Sequence, residues 1–218
     1  MQALCEYIKN TPKYKWEQEN KAQIVTFENA LYVRGGLYAC ISDFQKAICR
    51  VFVWCKQNNC KTIYFFINSS GGEKRVGFEC LKRLKMNREI YKKLNIRVEC
   101  IVVQYCCSAA TLLALECDSV KLNNNAKMGI HYPLCVNYSE EHSDLKQTDG
   151  VIKGLTNDEK SLFDEFYQTK LRLDLETVQK LLVESKLLSS QECLEYNLAS
   201  EVIDSLPIQF KQIMQQVK

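Results

Sequence analysis

The chain predicts an α/β fold of parallel βαβ units, and three observations carry that prediction. Residues 61–67, Lys-Thr-Ile-Tyr-Phe-Phe-Ile, form a continuous apolar run closed by Asn58-Asn59 before it and Ser69-Ser70-Gly71-Gly72 after it, the pattern of a strand buried on both faces. Phe44, Ile48, Val51 and Cys55 recur just upstream at the spacing of an amphipathic helix. Strand and helix patterns then alternate as far as residue 131, as parallel strands joined by crossover helices do.

Residues 1–22 are polar and weakly periodic and read as an N-terminal extension, with residues 23–218 as one domain. Residues 23–33 read as strand, turn and strand, interrupted by Gly35-Gly36. A helix follows over 42–57 with Ser42 or Asp43 as its cap. After the strand at 61–67 come a helix over about 75–87, carrying Val76, Cys80, Leu81 and Leu84, a strand over 97–103 and a helix over 107–115. Short strands at 119–122 and 128–131 complete this half. Residues 138–150 are polar and loop-like. Thr156 and Glu159 form a capping box before a long helix with Leu162, Phe163, Phe166 and Tyr167 on one face. A second helix spans about 175–187, Ser189 and Glu192 cap a short third one, and residues 201–203 form a last strand.

Composition narrows the class. A length of 218 residues with 46% hydrophobic and 25% charged residues suits one soluble domain with a substantial core. A net charge of +3, from 29 basic and 26 acidic residues spread along the chain, is too balanced to argue for nucleic acid. No apolar run approaches the length of a membrane span, and the first ten residues match neither a signal peptide nor a transit peptide. Twelve cysteines are many, but Cys49, Cys55, Cys100 and Cys117 lie in or beside apolar patterns and no Cys-x-x-Cys pair occurs. They read as reduced, buried small hydrophobes rather than a disulfide set or a zinc site.

Three short motifs carry the chemistry. In 66–72, Phe-Ile-Asn-Ser-Ser-Gly-Gly, a strand delivers the chain to a turn without side chains, where backbone N–H groups can face a ligand oxygen; a tight strand-to-helix turn alone would need the same glycines. Gln104-Tyr-Cys-Cys-Ser-Ala-Ala opens a helix after a strand, where the helix N-terminus favours developing negative charge on a nucleophile; small residues there also serve close packing. His131 is one of two histidines, and the other, His142, lies in a charged stretch.

In this order the three motifs resemble the caseinolytic protease family, ClpP, a compartmentalised serine peptidase, over roughly residues 24–205. Ile67-Asn68-Ser69-Ser70-Gly71-Gly72 is similar to the family's Ile-Asn-Ser-Pro-Gly-Gly, Val103 to Leu113 to its Gly-Gln-Ala-Ala-Ser-Met-Gly-Ala-x-Leu-Leu, and Gly129-Ile130-His131-Tyr132-Pro133 to its Met-Ile-His-Gln-Pro. Residues 187–198 are similar to its Phe-Leu-Ser-Ala-x-Glu-Ala-x-Glu-Tyr-Gly-Leu. Anchoring on Gln104 and Leu112-Leu113 puts Cys107 at the nucleophilic serine, whereas counting back from His131 selects Cys106. Cys107 is preferred, because the loop 116–126 can absorb a one-residue deletion. Ser108 then follows the nucleophile, and its N–H with that of Gly72 would form the family's oxyanion hole. The family's catalytic aspartate falls on Leu181, six residues before Leu187. Glu184 lies one helical turn further on, about 4.5 Å in rise, and Asp174 two turns back, roughly 10 Å, so Glu184 is the better substitute.

The triad positions are therefore Cys107, His131 and Leu181: nucleophile changed, base retained, orienting acid lost. A Cys–His pair can act without a third acid, which keeps a Cys107–His131 peptidase open. Against it, Val103, Tyr105 and Ser70 stand where the family has Gly, Ala and Pro, and a leucine can neither orient a histidine nor stabilise its imidazolium. This pattern is similar to ClpR, the non-catalytic ClpP-like subunits of plastid-type and cyanobacterial Clp systems. The excess of lysine over arginine and Asn123-Asn124-Asn125 suit an apicomplexan plastid (apicoplast) version.

The resemblance implies a ClpP/crotonase-like spiral of βαβ units with a head at about 23–137 and 187–205 and a protruding helical handle at about 138–186. It implies a heptameric ring, with an active ClpP paralogue and a Clp-family AAA+ chaperone as partners, in the stroma of a plastid-type organelle. No cofactor, metal, nucleic acid or membrane is implied. Residues 1–22 do not match the family's axial loops. Crotonase-type acyl-CoA enzymes share the architecture, but the Asn68-Ser69-x-Gly-Gly and His131-x-Pro133 pair and the lack of a credible catalytic carboxylate argue against that chemistry.

Overall fold

The computed structural model describes residues 21–133 and 156–217. The readings for residues 1–20, for the loop 138–150 with His142, and for a head–handle boundary near 137 fall outside the described residues. Within them the strands are β1 (Gln23–Phe27), β2 (Ala30–Arg34), β3 (Thr62–Ser69), β4 (Arg97–Cys107), β5 (Ser119–Asn123), β6 (Lys127–Gly129) and β7 (Glu201–Ile203). The helices are α1 (Ile41–Gln57), α2 (Lys74–Lys93), α3 (Ala109–Glu116), α4 (Asn157–Leu171), α5 (Leu175–Glu184), α6 (Ser190–Glu195) and α7 (Ile208–Met214).

The sheet runs β1-β2-β3-β4-β5-β7, with β6 also paired to β4. Only β1–β2 is antiparallel, and every other pair is parallel. Strand alternation divides the core. Leu31, Val33, Ile63, Phe65, Ile67, Val98, Cys100 and Val102 face α1, α2 and α3 in the main cluster. Ala30, Tyr32, Phe66 and Ile101 face the other way and pack on Phe210 and Ile213 of α7. That alternation is why β3 and β4 read as unbroken apolar runs: both faces are covered.

Several predicted boundaries move, each for a local reason. Helix α1 starts earlier and takes Cys40, not Ser42 or Asp43, as its cap; Cys40 makes no side-chain cap bond, and Asp43 sits in the first turn paired with Lys21. Strand β4 runs four residues beyond 103 because a second neighbour takes over: β5 pairs with Glu99 to Val102, then β6 pairs with Tyr105, Cys106 and Cys107. Helix α3 therefore starts at Ala109, not 107. Both capping boxes form as expected, Thr156 with Glu159 and Ser189 with Glu192. On α4, Phe163 and Tyr167 are buried, but Leu162 is 58% exposed. Helix α7 has no counterpart in the sequence reading.

The ten described cysteines are all free, six of them buried, whereas Cys49 is exposed despite its place in the α1 pattern. Burial pushes the thiols of Cys55 and Cys193 up to about 12.

Helices α2, α3 and α4 are fastened together by polar contacts between distant parts of the sequence. Arg88 on α2 is buried and binds Glu116 of α3 at 2.9 Å, the Glu116 carbonyl oxygen, and Asp118. Lys170 of α4 binds the other Glu116 oxygen at 2.8 Å. Asp118 also accepts the Val98 N–H at 2.7 Å. Phe163 packs edge-on to Phe78 at 5.3 Å, and Lys74 pairs with Glu159. Truncating Arg88 leaves two carboxylates without their shared partner, Glu116 deep in the protein. Arg88→Ala is therefore expected to cost about 3–5 kcal/mol, read as a lower urea midpoint at unchanged slope.

Candidate active site

The first motif ends β3 and is braced from the side. Ser69 Oγ donates to the Gly35 carbonyl at 2.6 Å and accepts the Gly71 N–H at 3.1 Å. Leu37 N–H donates to Gly71 O at 2.7 Å, and Glu73 N–H to Leu37 O at 3.2 Å. A Cβ on Gly72 would sit 2.6 Å from Leu37 N, so only glycine allows this contact. The Gly72 N–H lies between those two bonds and has no acceptor among the described residues.

Strand β4 arrives beside this loop through an irregularity. Ile67 pairs with Val102, but Ser69 pairs with Cys106, so four residues of β4 pass two of β3. Asn68 holds the bulge: its Oδ1 accepts the Tyr105 N–H at 3.2 Å and its Nδ2 donates to Gln104 Oε1 at 3.5 Å. A bulge re-aims the end of a strand, and here it delivers Cys107 and Ser108 opposite the glycines. Gly71 has φ +96°, and a Cβ there would lie 2.5 Å from Ser108 Cβ and 2.6 Å from Cys107 O.

Ser108 is the turn residue between β4 and α3, at φ +53° and ψ −130°. Its N–H donates to Gly129 O at 2.7 Å. That bond removes it from the oxyanion-donor role expected for it. The Ala109 N–H, first in α3 and without an acceptor among the described residues, is 3.1 Å from where a Gly71 Cβ would be. Gly72 and Ala109 thus offer open donors at the site. Every residue of α3 is buried, so its N-terminal dipole acts here with little screening by water.

Cys107 pairs with Gly129 across β4–β6. Its Sγ packs over Gly129, 3.4 Å from where a Cβ would sit, with Leu187 Cδ2 at the same distance from that point. Burial raises the thiol above its ordinary value, partly offset by backbone hydrogen bonds at Gly129 and Cys106. The side chain is therefore a thiol at neutral pH, not the thiolate a cysteine peptidase needs. Cys106, the other candidate by spacing, is fully buried with its thiol raised further by desolvation.

His131 follows two residues after Gly129. Its Nδ1 is 2.6 Å from Tyr132 O. A carbonyl oxygen only accepts, so Nδ1 carries a proton. The ring is thereby oriented, but by a neutral oxygen that cannot offset a developing imidazolium charge. Leu181 is buried on α5, and the neighbouring Leu182 carbonyl accepts the Tyr132 N–H at 3.3 Å. Neither alternative acid substitutes. Asp174 caps α5, accepting Thr177 N–H at 2.9 Å and Thr177 Oγ1 at 2.7 Å, and these bonds hold its carboxyl below the usual range. Glu184 faces Lys180 at 3.9 Å.

Of the positions expected to reshape the pocket, Ser70 and Tyr105 are exposed, whereas Val103 turns away and packs on the Phe66–Ile101 cluster. The sequence reading passed over the layer behind the site. Thr111 Oγ1 donates to Ser108 O at 2.6 Å and meets Tyr167 Oη at 2.7 Å. Tyr132 Oη donates to buried Asp164, which also accepts Gln179 Nε2 at 2.6 Å. Burial, then the Asp164 contact, raises the Tyr132 phenol, which keeps its proton. No motif marks these residues; their partners are brought from other helices by the fold.

A profile of the Clp protease family matches residues 38–206. No curated relative matches the sequence. Among solved structures, ClpP1 from Listeria monocytogenes superposes with a TM-score of 0.60 at 17% identity, covering 82% of this chain and 92% of that one. A point mutant of the 1510-N membrane-bound stomatin-specific protease superposes with a TM-score of 0.61 at 15% identity, covering 84% of this chain and 82% of its own. At these identities the likeness is one of fold.

Two outcomes follow from the geometry. Gly71→Ala places a Cβ in the elbow at a left-handed φ, and is expected to lower stability by roughly 1–3 kcal/mol, measured by thermal melting. Alkylation of Cys107 by iodoacetamide should be slow at pH 7. Because burial raises its pKa above the ordinary 9.0, the rate should reach half its maximum at higher pH than for a free thiol, as followed by peptide mass mapping.

Proposed function

The chain belongs to the Clp protease family, and we propose that within it the protein is a ring-forming subunit that does not itself cleave peptide bonds. One observation carries the reading: His131 Nδ1 is held by a main-chain carbonyl oxygen, and the position that the family's spacing gives to the catalytic aspartate is Leu181, 5% exposed. The missing charge is a large part of the barrier, since neutralising the acid of a serine triad lowers turnover by about 10⁴. The alternative Cys107–His131 peptidase is disfavoured by a thiol that burial keeps protonated.

Assembly is supported by the surface. Met86, Ile90 and Leu94 follow one another at four-residue spacing along and just past α2, at 64%, 48% and 39% exposure, and Leu162 of α4 is 58% exposed. A groove of about 630 Å³ between the two helices has Phe78, Leu81, Met86, Leu162 and Phe166 along it, flanked by the charged Glu79, Lys82, Lys85, Glu165 and Lys170. A monomer seldom leaves an apolar stripe of this kind uncovered. Closed rings need such a surface on one subunit to meet a different one on the next. The reading takes the ring to be heptameric, alone or mixed with an active ClpP paralogue, in a Clp complex driven by an AAA+ chaperone. On the lysine and asparagine bias it places the protein in a plastid-type organelle; a fluorescent fusion of the natural precursor found elsewhere overturns that part.

Native mass spectrometry at micromolar concentration, with and without the active paralogue, should give a particle of seven subunits or a mixed ring, and no cleavage of fluorogenic peptides by the chain alone. A monomer under both conditions overturns the assembly reading, and peptide turnover by the chain alone overturns the silent one. Met86→Glu is expected to lower the assembled fraction while leaving monomer stability within about 0.5 kcal/mol, as for exposed positions generally.

A further inference from the structure

We propose that the sheet face opposite the main core is a docking site for a short amphipathic peptide, and that helix α7 is the ligand this chain keeps seated there in cis.

The face is complete before the chain reaches α7. Ala30, Tyr32, Phe66 and Ile101 come from β2, β3 and β4, which pair with one another and are packed from behind by the main cluster. The family match ends at residue 206, so every residue of α7 lies beyond it. Without α7, the matched part of the chain leaves two aromatic rings and an isoleucine uncovered at the middle of the sheet. A contiguous apolar patch of that kind marks an interaction site.

The pattern of α7 shows what the face takes. Phe210, Ile213, Met214 and Val217 follow at helical spacing and belong to the cluster on this face. Lys211, Gln215 and Gln216 point to solvent. The Phe210 ring stands edge-on to Tyr32 at 5.4 Å and tilted against Phe66 at 5.1 Å, and Ile213 is fully buried. Anchors at i, i+3, i+4 and i+7 are those of an amphipathic helix laid into an apolar groove. The partner that fits is therefore a segment with an aromatic residue followed by aliphatic ones three and four positions on.

The attachment is that of a ligand. Among the described residues, no hydrogen bond or ion pair joins 208–217 to another element; the backbone bonds there are local, such as Phe210 N–H to the Pro207 carbonyl at 2.9 Å. Helix α4, by contrast, is tied down by Lys170–Glu116 and Lys74–Glu159. Helix α7 has seven residues and no side-chain cap bond, too little to hold a helix in water alone, so the face imposes the conformation. Exposed Asp204 and Ser205 link it to β7. On so short a link the effective concentration is about millimolar, and a partner must displace α7 to dock.

The test uses the full chain and a fluorescein-labelled peptide of residues 204–218. In the unmodified protein, the amides of α7 are expected to exchange with solvent at least about tenfold faster than those of β3, and faster still as peptide is added, with β3 unchanged. A full-length Phe210→Asp/Ile213→Asp variant should bind the peptide saturably, at least about tenfold more tightly than the unmodified chain does, by fluorescence anisotropy. The peptide carrying the same two substitutions should not bind. Benzoylphenylalanine in place of Phe210 in the peptide should cross-link to β2 or β3. Exchange in α7 as slow as in β3 makes α7 part of the core and overturns the proposal without any variant. So does a double variant that melts normally and ignores the peptide. Cross-links from α7 of one copy to β2 of another also overturn it, because the occupant is then a second copy. Neither peptide turnover nor ring size enters these readouts, so the silent-subunit reading stands or falls separately.

Discussion

Two stretches of backbone far apart in sequence, the glycine turn after β3 and the elbow between β4 and α3, occupy a space in which no extra methyl group fits. Gly71 touches the elbow and Gly72 touches Leu37 at distances that only missing side chains permit. The rest of the site is arranged around that contact. The β4 bulge sets where the elbow falls, the hydrogen bond from Ser108 to Gly129 ties it to β6, and β6 in turn carries the chain to His131. Because close packing transmits small displacements, none of these pieces can shift alone.

What could be read in advance was what is local or periodic. The apolar run of β3, the helical spacing of Phe44, Ile48, Val51 and Cys55, and the two capping boxes depend on residues within a few positions of one another, so the sequence displays them directly. Family likeness added the glycine turn and His131. Register within the site was less legible. Counting from Gln104 selects Cys107 and counting from His131 selects Cys106, and neither count detects that β4 passes four residues across two of β3. Helix α7 was hidden for another reason: it is only seven residues long, and it is held by Tyr32 and Phe66, more than a hundred residues earlier in the chain.

The polar groups behind the site were equally invisible. Arg88 and Glu116 are 28 residues apart, Tyr132 and Asp164 are 32, and Thr111 and Tyr167 are 56. Tyr167 shows in the helical pattern, but Arg88, Glu116 and Asp164 are charged residues that the one-dimensional pattern assigns to the surface and that become buried only when the helices pack together. These contacts bind helices to one another without touching a reacting atom. The residues placed for chemistry, Cys107, Ser108 and His131, contribute little to that framework beyond their backbone bonds.

The ion network of Arg88, Glu116, Asp118 and Lys170 has a consequence for the history of such a chain. With the helices secured by charges remote from the glycine turn, substitutions at the catalytic positions meet little penalty in folding. A duplicate copy freed from the need to cleave would lose its acid early, since a leucine packs well where Leu181 lies, yet keep the elbow long afterwards, because the glycine contact constrains shape whether or not chemistry follows. Exchanging a side chain at the site thus costs the fold little, whereas adding one methyl group to the backbone cradle costs it much.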